Sequence, residues 1–278
     1  MITFTRYRQF LTELSSHGIH SLSVDKICMN RERKGIIFIK HDVESKVSLA
    51  LKTAEIEHEL GHSATYYFQG SLLLQYQAAD MVEHIATLGH EVAYHYDVLD
   101  ACDGDFNAAF KEFDRYKTIL EVACGRQIIT VCPHGNPTKV RDGWKSNKDF
   151  FRSDLVRQRY PDILDIVVDF DRLLPNGLYI SDAGFQLKKI ENITGNDVSN
   201  ITAISDGIPV DWSNIRKIVA ENDGVLLSIH THRLRKNRLA LLILRARLRA
   251  LRFLYLALKE VPFLKAFIGK FYTLTRYI

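Results

Sequence analysis

Short apolar runs alternate with longer amphipathic stretches through the first 232 residues of the chain. Residues 35–40 (GIIFIK), 63–68 (SATYYF), 91–95 (EVAYH), 129–135 (ITVCPHG) and 224–232 (GVLLSIHTH) read as buried strands. Residues 45–60 and 78–88 read as helices stopped by Gly61 and Gly89, and residues 105–123 as a third. In the third, Phe106, Phe110, Phe113, Lys117 and Leu120 lie along one stripe, and Asp103 or Asp105 can cap it. Strands alternating with helices of this length predict parallel βαβ units. Several such units predict an α/β fold, a closed or nearly closed (β/α) barrel with its chemistry where the strands end. Residues 140–210 are less regular. Turn signals at Pro175-Asn176-Gly177 and Ala183-Gly184 predict a long crossover with short strands.

The pattern divides the chain into a helical lead-in (1–34), the barrel (35–232) and a tail (233–278). At 278 residues and 46% hydrophobic, there is enough apolar surface for one full core. Charge sets the tail apart. It carries a net +11, against −7 for the rest of the chain. Arg238, Arg245, Arg249, Arg252 and Lys259 fall near one helical face, and most of the remainder is Leu, Ile, Ala, Phe and Tyr. The arginines are too many for a spanning helix. A cationic amphipathic helix on an anionic membrane surface is expected, broken at Pro262; the alternative is a helix packed on the barrel. No nucleic-acid-binding motif accompanies the charge, so nucleic acid is not an expected partner. The N-terminus lacks the unbroken apolar segment of a secretory signal, and the four cysteines form no CxxC pair. A cytoplasmic location, possible contact with the inner membrane face, and free thiols are expected.

Four strand-like runs end in ligand-type residues: His41-Asp42-Val43-Glu44, His95-Tyr96-Asp97, His134-Gly135-Asn136 and His230-Thr231-His232. Four such endings predict a rim where histidines and carboxylates converge, the composition of a metal site. Asp42 and Glu44 are two apart and point to one side of an extended chain. One can bind metal while the other serves as base, although Asp42 or Ser45 capping the next helix is the simpler reading of that stretch. A lone His95 is more often a satisfied core residue, and His134 a turn residue beside Gly135. Of His230 and His232, one is expected to point inward and the other away. His90, after Gly89, reads as a helix stop leading into a strand.

In chain order and strand context, HDVE (41–44), GHEVAYHYD (89–97), CPHGNP (132–137), YISDAG (179–184) and LLSIH (226–230) resemble the polysaccharide deacetylase family, also called NodB homology or carbohydrate esterase family 4. Within it they resemble the WbmS-like branch associated with O-antigen clusters. The resemblance covers residues 35–232 and implies a distorted seven-stranded barrel. It also implies a metal-dependent deacetylase of an N-acetylated, nucleotide- or lipid-linked sugar, with zinc or a similar divalent ion. By the same resemblance Asp42 is the general base, His230 the general acid, and Glu44 a metal ligand where the family has Asp. His95 is the second ligand. Leu99 stands where the family has another histidine, and Asp97 or His134 takes its place, His134 completing the implied set. The His134 N–H is expected to support the oxyanion in place of a missing arginine. Tyr96, Asp97, Gly135, Asn136, Asp182 and His232 are expected to line the sugar site. A non-catalytic module binding a glycan precursor or a membrane partner is the competing class.

Overall fold

The computed structural model describes residues 2–29, 33–136, 139–183, 186–195, 197 and 207–258. Its centre is one sheet of β1 (Ile37–Val43), β2 (Thr65–Gln69), β3 (Glu91–Tyr96), β4 (Thr130–Pro133), β5 (Leu164–Asp165), β6 (Leu178–Ser181), β7 (Lys188–Ile190), β8 (Ile208–Pro209) and β9 (Val225–His230). The spatial order is β5-β4-β3-β2-β1-β9-β6-β7-β8. Every pairing from β5 across to β6 is parallel, and β7 and β8 add antiparallel strands at one edge. Central parallel strands are covered on both faces, which is why β1 and β9 are near-continuous apolar runs. Among the described residues no pairing joins β5 to β8, the two ends of the order, and the sheet has nine strands where the resemblance implied seven.

The helices are α1 (Phe4–Ser16), α2 (Val47–Glu59), α3 (Ala78–Thr87), α4 (Val98–Ala101), α5 (Phe106–Cys124), α6 (Lys148–Arg152), α7 (Asp154–Arg159), α8 (Phe170–Leu173), α9 (Ile215–Glu221) and α10 (Arg238–Leu258). Of the two candidate caps for α5, Asp105 serves, accepting from the backbone N–H groups of Asn107 and Ala108. At α2 neither Asp42 nor Ser45 caps. The N-cap position is Lys46, in the left-handed region at φ 38°, without a side-chain cap. The carboxylate of Asp42 is therefore left for other work. The lead-in is not set apart: Tyr7, Phe10, Leu11 and Leu14 of α1 join the same core as the sheet.

Strand alternation sorts the core into two sides. Ile37, Ile39, Val43, Tyr66, Phe68, Tyr94, Tyr96, Leu227 and Ile229 face the layer of α1, α2, α3 and α5. Phe38, Tyr67, Ala93, Cys132, Tyr179 and Leu226 face the opposite, inner side. Along β1 the inner positions run Phe38, Lys40, Asp42, so this side turns from apolar to charged toward the strand ends. α10 follows the sheet. Pro262 and the rest of residues 259–278 lie outside the described residues.

Candidate active site

The parallel pairing aligns the strand ends. Asp42 is level with His230 across β1 and β9, and β3 and β4 set His95 level with Cys132. One residue past β1, Glu44 reaches over this row. Its Oε1 lies 3.4 Å from His134 Nε2, 3.6 Å from His95 Nε2 and 3.6 Å from His230 Nε2. Three ring nitrogens surround one oxygen at separations longer than an ordinary hydrogen bond. Ligands of one tetrahedral ion with bonds of about 2.1 Å stand about 3.4 Å apart. Glu44, His95 and His134 form a group whose ligand atoms all lie within 4.8 Å of one another. His95 is also oriented for ligation. Its Nδ1 donates to the Cys132 carbonyl at 3.0 Å, which leaves the Nε2 lone pair free in the neutral ring. The donor set therefore fits a divalent ion with an open coordination position.

Asp42 lies beside this group. Its Oδ1 receives Lys40 Nζ at 2.7 Å, while Oδ2 is 3.4 Å from Ser228 Oγ and 3.9 Å from His230 Nε2. Burial pushes the carboxyl up, but Lys40, with His95 and His230, outweighs it and holds Asp42 well below the usual carboxylate range. For Glu44 burial is likewise outweighed, by His230, His134 and His95, and its value falls. Both side chains are therefore anionic near neutrality. His230 is fixed from behind, with Nδ1 2.5 Å from Asp182 Oδ1. Asp182 is in turn held by Arg233 at 2.9 Å. Burial and Arg233 lower the His230 pKa, but Asp182 and Glu44 prevail and raise it. His230 thus directs Nε2 at the cluster while Asp182 stabilises its charged form.

Several placements differ from the sequence expectations. Tyr96 is not at the site. It alternates to the helical side, is fully buried, and donates to Asp165 Oδ2 at 2.5 Å. The His134 N–H is not free for an oxyanion, because it donates to the Tyr96 carbonyl at 2.7 Å and extends the β3–β4 ladder. His230 and His232 do not point opposite ways. Residues two apart share a side of an extended chain, and past His230, where Thr231–Arg233 forms a 3₁₀ turn, the two rings meet edge-on at 5.6 Å. Burial, then Arg233, drives His232 down to about 3, so it is neutral; its buried Nδ1 has no hydrogen-bond partner. Asp97 accepts from Gln69 Nε2 at 3.0 Å and is half-buried at the rim, outside the ligand group. Gly135 is exposed beside His134, and the Asn136 carbonyl accepts from Arg141. Leu99 is fully buried in the core, and His134 occupies the ligand group that a histidine there was expected to complete.

Sequence reasoning missed Lys40, Cys132, Ser228 and Arg233. Lys40 closes the apolar run GIIFIK, but the strand continues to Val43. Alternation back from Glu44 and Asp42 reaches Lys40 on the same side and was the available signal.

The other side of the same strands carries a second histidine–carboxylate cluster. Glu57 of α2 receives Tyr7 at 2.5 Å, Tyr66 at 2.6 Å and His41 Nε2 at 2.7 Å. His90 stands 3.8 Å away, with its ring nitrogens on the Ala54 carbonyl and the Ala64 N–H.

No family model and no curated protein sequence matches the chain. Solved structures that match are carbohydrate esterases and polysaccharide deacetylases. The catalytic domain of a peptidoglycan N-acetylglucosamine deacetylase from Eubacterium rectale is 16% identical, at TM-score 0.41, over 71% of this chain and 77% of that one. A CE4 esterase from Streptococcus mutans is 12% identical, at TM-score 0.45, over 76% and 80%. A CE4-family pseudoenzyme from Bacillus anthracis is 11% identical, at TM-score 0.40, over 79% and 62%.

Proposed function

We propose that this chain is a metal-dependent deacetylase that removes the acetyl group from an N-acetylated sugar, as in the making of cell-surface polysaccharide or lipopolysaccharide. One observation carries the reading. Glu44 Oε1 is set among the Nε2 atoms of His95, His134 and His230 at 3.4–3.6 Å, beside an anionic Asp42 and a histidine backed by Asp182. Glu44, His95 and His134 would hold the ion, with zinc suited to two imidazoles and a carboxylate. A bound divalent ion supplies Lewis-acid polarisation of the amide carbonyl and acidifies water.

The chain's own groups do the rest. Asp42 Oδ2 accepts a proton from the water whose oxygen bonds to the acetamide carbon. His230 Nε2 donates a proton to the amide nitrogen as the C–N bond breaks, giving acetate and the sugar amine. Asp182 holds the charged imidazole in place meanwhile. Gly135, Asn136, Asp97 and His232 are the residues proposed to meet the sugar.

The test is acetate release from N-acetylglucosamine oligomers and nucleotide-linked N-acetylglucosamine by zinc-loaded protein. Release that falls at least 100-fold in both Asp42→Asn and His230→Ala supports the reading. Metal binding with no release from any N-acetylated saccharide would favour the binding-module alternative.

We further propose that α10 rests on an anionic membrane surface, which would bring a lipid-linked substrate within reach. Leu239, Leu242 and Phe253 are exposed at helical spacing in a tail of net charge +11. No helix among the described residues is long and apolar enough to cross a membrane. Leu241 and Leu244 are buried, so the first turns of α10 also pack inward. Flotation with phosphatidylglycerol vesicles should fall on deletion of residues 238–278; unchanged flotation would leave α10 as a packing helix.

A further inference from the structure

His95 belongs to two groups of ligand-type side chains. One is Glu44–His95–His134, and the other is Asp42–His95–Cys132, deeper along the strands and fully buried. In both groups the ligand atoms lie within 4.8 Å of one another. The two cannot be filled alike by a single ion. Ligand chemistry alone would favour the deeper one, because a thiolate is among the strongest zinc donors. An ion there would also consume Asp42 as a ligand and leave the reaction without its base.

Lys40 stands in that deeper group. Its side chain is fully buried, and its Nζ lies 2.7 Å from Asp42 Oδ1 and 2.9 Å from Cys132 Sγ. Tyr67 lies beneath it, with the ring centroid 5.2 Å from Nζ. The ammonium thus donates to two of the three donors a metal would need. We infer that Lys40 is a built-in cation that keeps a divalent metal out of the Asp42–His95–Cys132 group, confines it to Glu44–His95–His134, and so reserves Asp42 Oδ2 for proton transfer. This rests on the metal-dependent reading above and makes Lys40 a positioning residue for both the ion and the base.

Cobalt(II) tests it, because a cysteine sulfur bound to cobalt gives an intense near-ultraviolet charge-transfer band that oxygen and nitrogen ligands do not. Cobalt-loaded wild-type protein should show visible ligand-field absorption without that band. Cys132→Ser should leave cobalt affinity within about twofold. In Lys40→Met no ammonium stands between Asp42 and Cys132, so cobalt can reach Sγ and the band should appear, and it should vanish in Lys40→Met/Cys132→Ser. A thiolate band in the wild-type protein, or a tenfold loss of affinity in Cys132→Ser, would overturn the inference without relying on the Lys40 variant folding. A folded Lys40→Met that binds cobalt without the band would overturn it as well, with the metal reading intact. No cobalt binding by wild-type protein at any loading would overturn the metal reading, and this inference with it.

Discussion

Two histidine–carboxylate clusters sit back to back on β1, one residue apart, and do opposite things. Around Glu57 the hydroxyls of Tyr7 and Tyr66 and the His41 imidazole close in at 2.5–2.7 Å, with His90 at 3.8 Å and the side chains of Glu57, His41 and His90 fully sealed. Around Glu44 the imidazoles stand back at 3.4–3.6 Å, and the side chains of Glu44, His230 and Asp42 keep 12%, 10% and 9% exposure. The first is a satisfied buried network, which specifies how α1 and α2 dock on the sheet. The second sets three imidazole nitrogens around one carboxylate oxygen at the separations a shared ion would require, with Glu44, His230 and Asp42 at its partly accessible edge. Residue type does not separate them. Spacing and access do.

Breaking the closed cluster should cost the most stability. Glu57→Ala leaves Tyr7, Tyr66 and His41 without their common acceptor, so urea unfolding of metal-free protein should show a loss of about 3–5 kcal/mol. The corresponding change in the open cluster should act on rate. Asp42→Asn should lower acetate release by about 10²–10⁴-fold in protein that is still folded, any stability it loses coming from the buried Lys40 ammonium left without its carboxylate. If folded Asp42→Asn instead releases acetate at the wild-type rate, the distinction between the clusters fails.

Acid sharpens the contrast. Burial pushes Glu57 up, but His41 and His90, with Tyr66, bring it from 4.5 down to about 2. The stabilisation is fully present above pH 4.5 and is lost as pH falls toward 2, roughly 3 kcal/mol in all. Unfolding free energy measured across that range should fall more steeply in the wild type than in Glu57→Gln; equal slopes would contradict the assignment. The smallest effect is expected at Tyr96, which belongs to the helical side. Tyr96→Phe should cost about 1 kcal/mol through the lost bond to Asp165 and leave the KM for acetate release unchanged. A raised KM would return Tyr96 to the sugar site.

The sequence was most readable where periodicity and burial agree. The long central strands, α5 with its Asp105 cap, and the four polar strand ends were all visible as patterns. What was hidden depended on where regular structure stops. The His230/His232 expectation failed because residues two apart share a side of a strand, and the 3₁₀ turn that begins at Thr231 does not separate the two rings. Lys40 was overlooked because a buried lysine makes sense only once Asp42 and Cys132 are known to flank it. The His134 N–H was lost to a ladder bond that a loop reading does not anticipate. The short strands from β5 to β8 lack the length for a clear period and emerge only through pairing.

Zinc stoichiometry is the most direct measurement of the central claim. Purified protein loaded with zinc and freed of excess should retain about one ion per chain. His95→Ala and Glu44→Ala should retain none, while Glu57→Gln, if folded, should retain the full complement. No zinc in the wild-type protein under any loading condition, or full retention in both His95→Ala and Glu44→Ala, would contradict it.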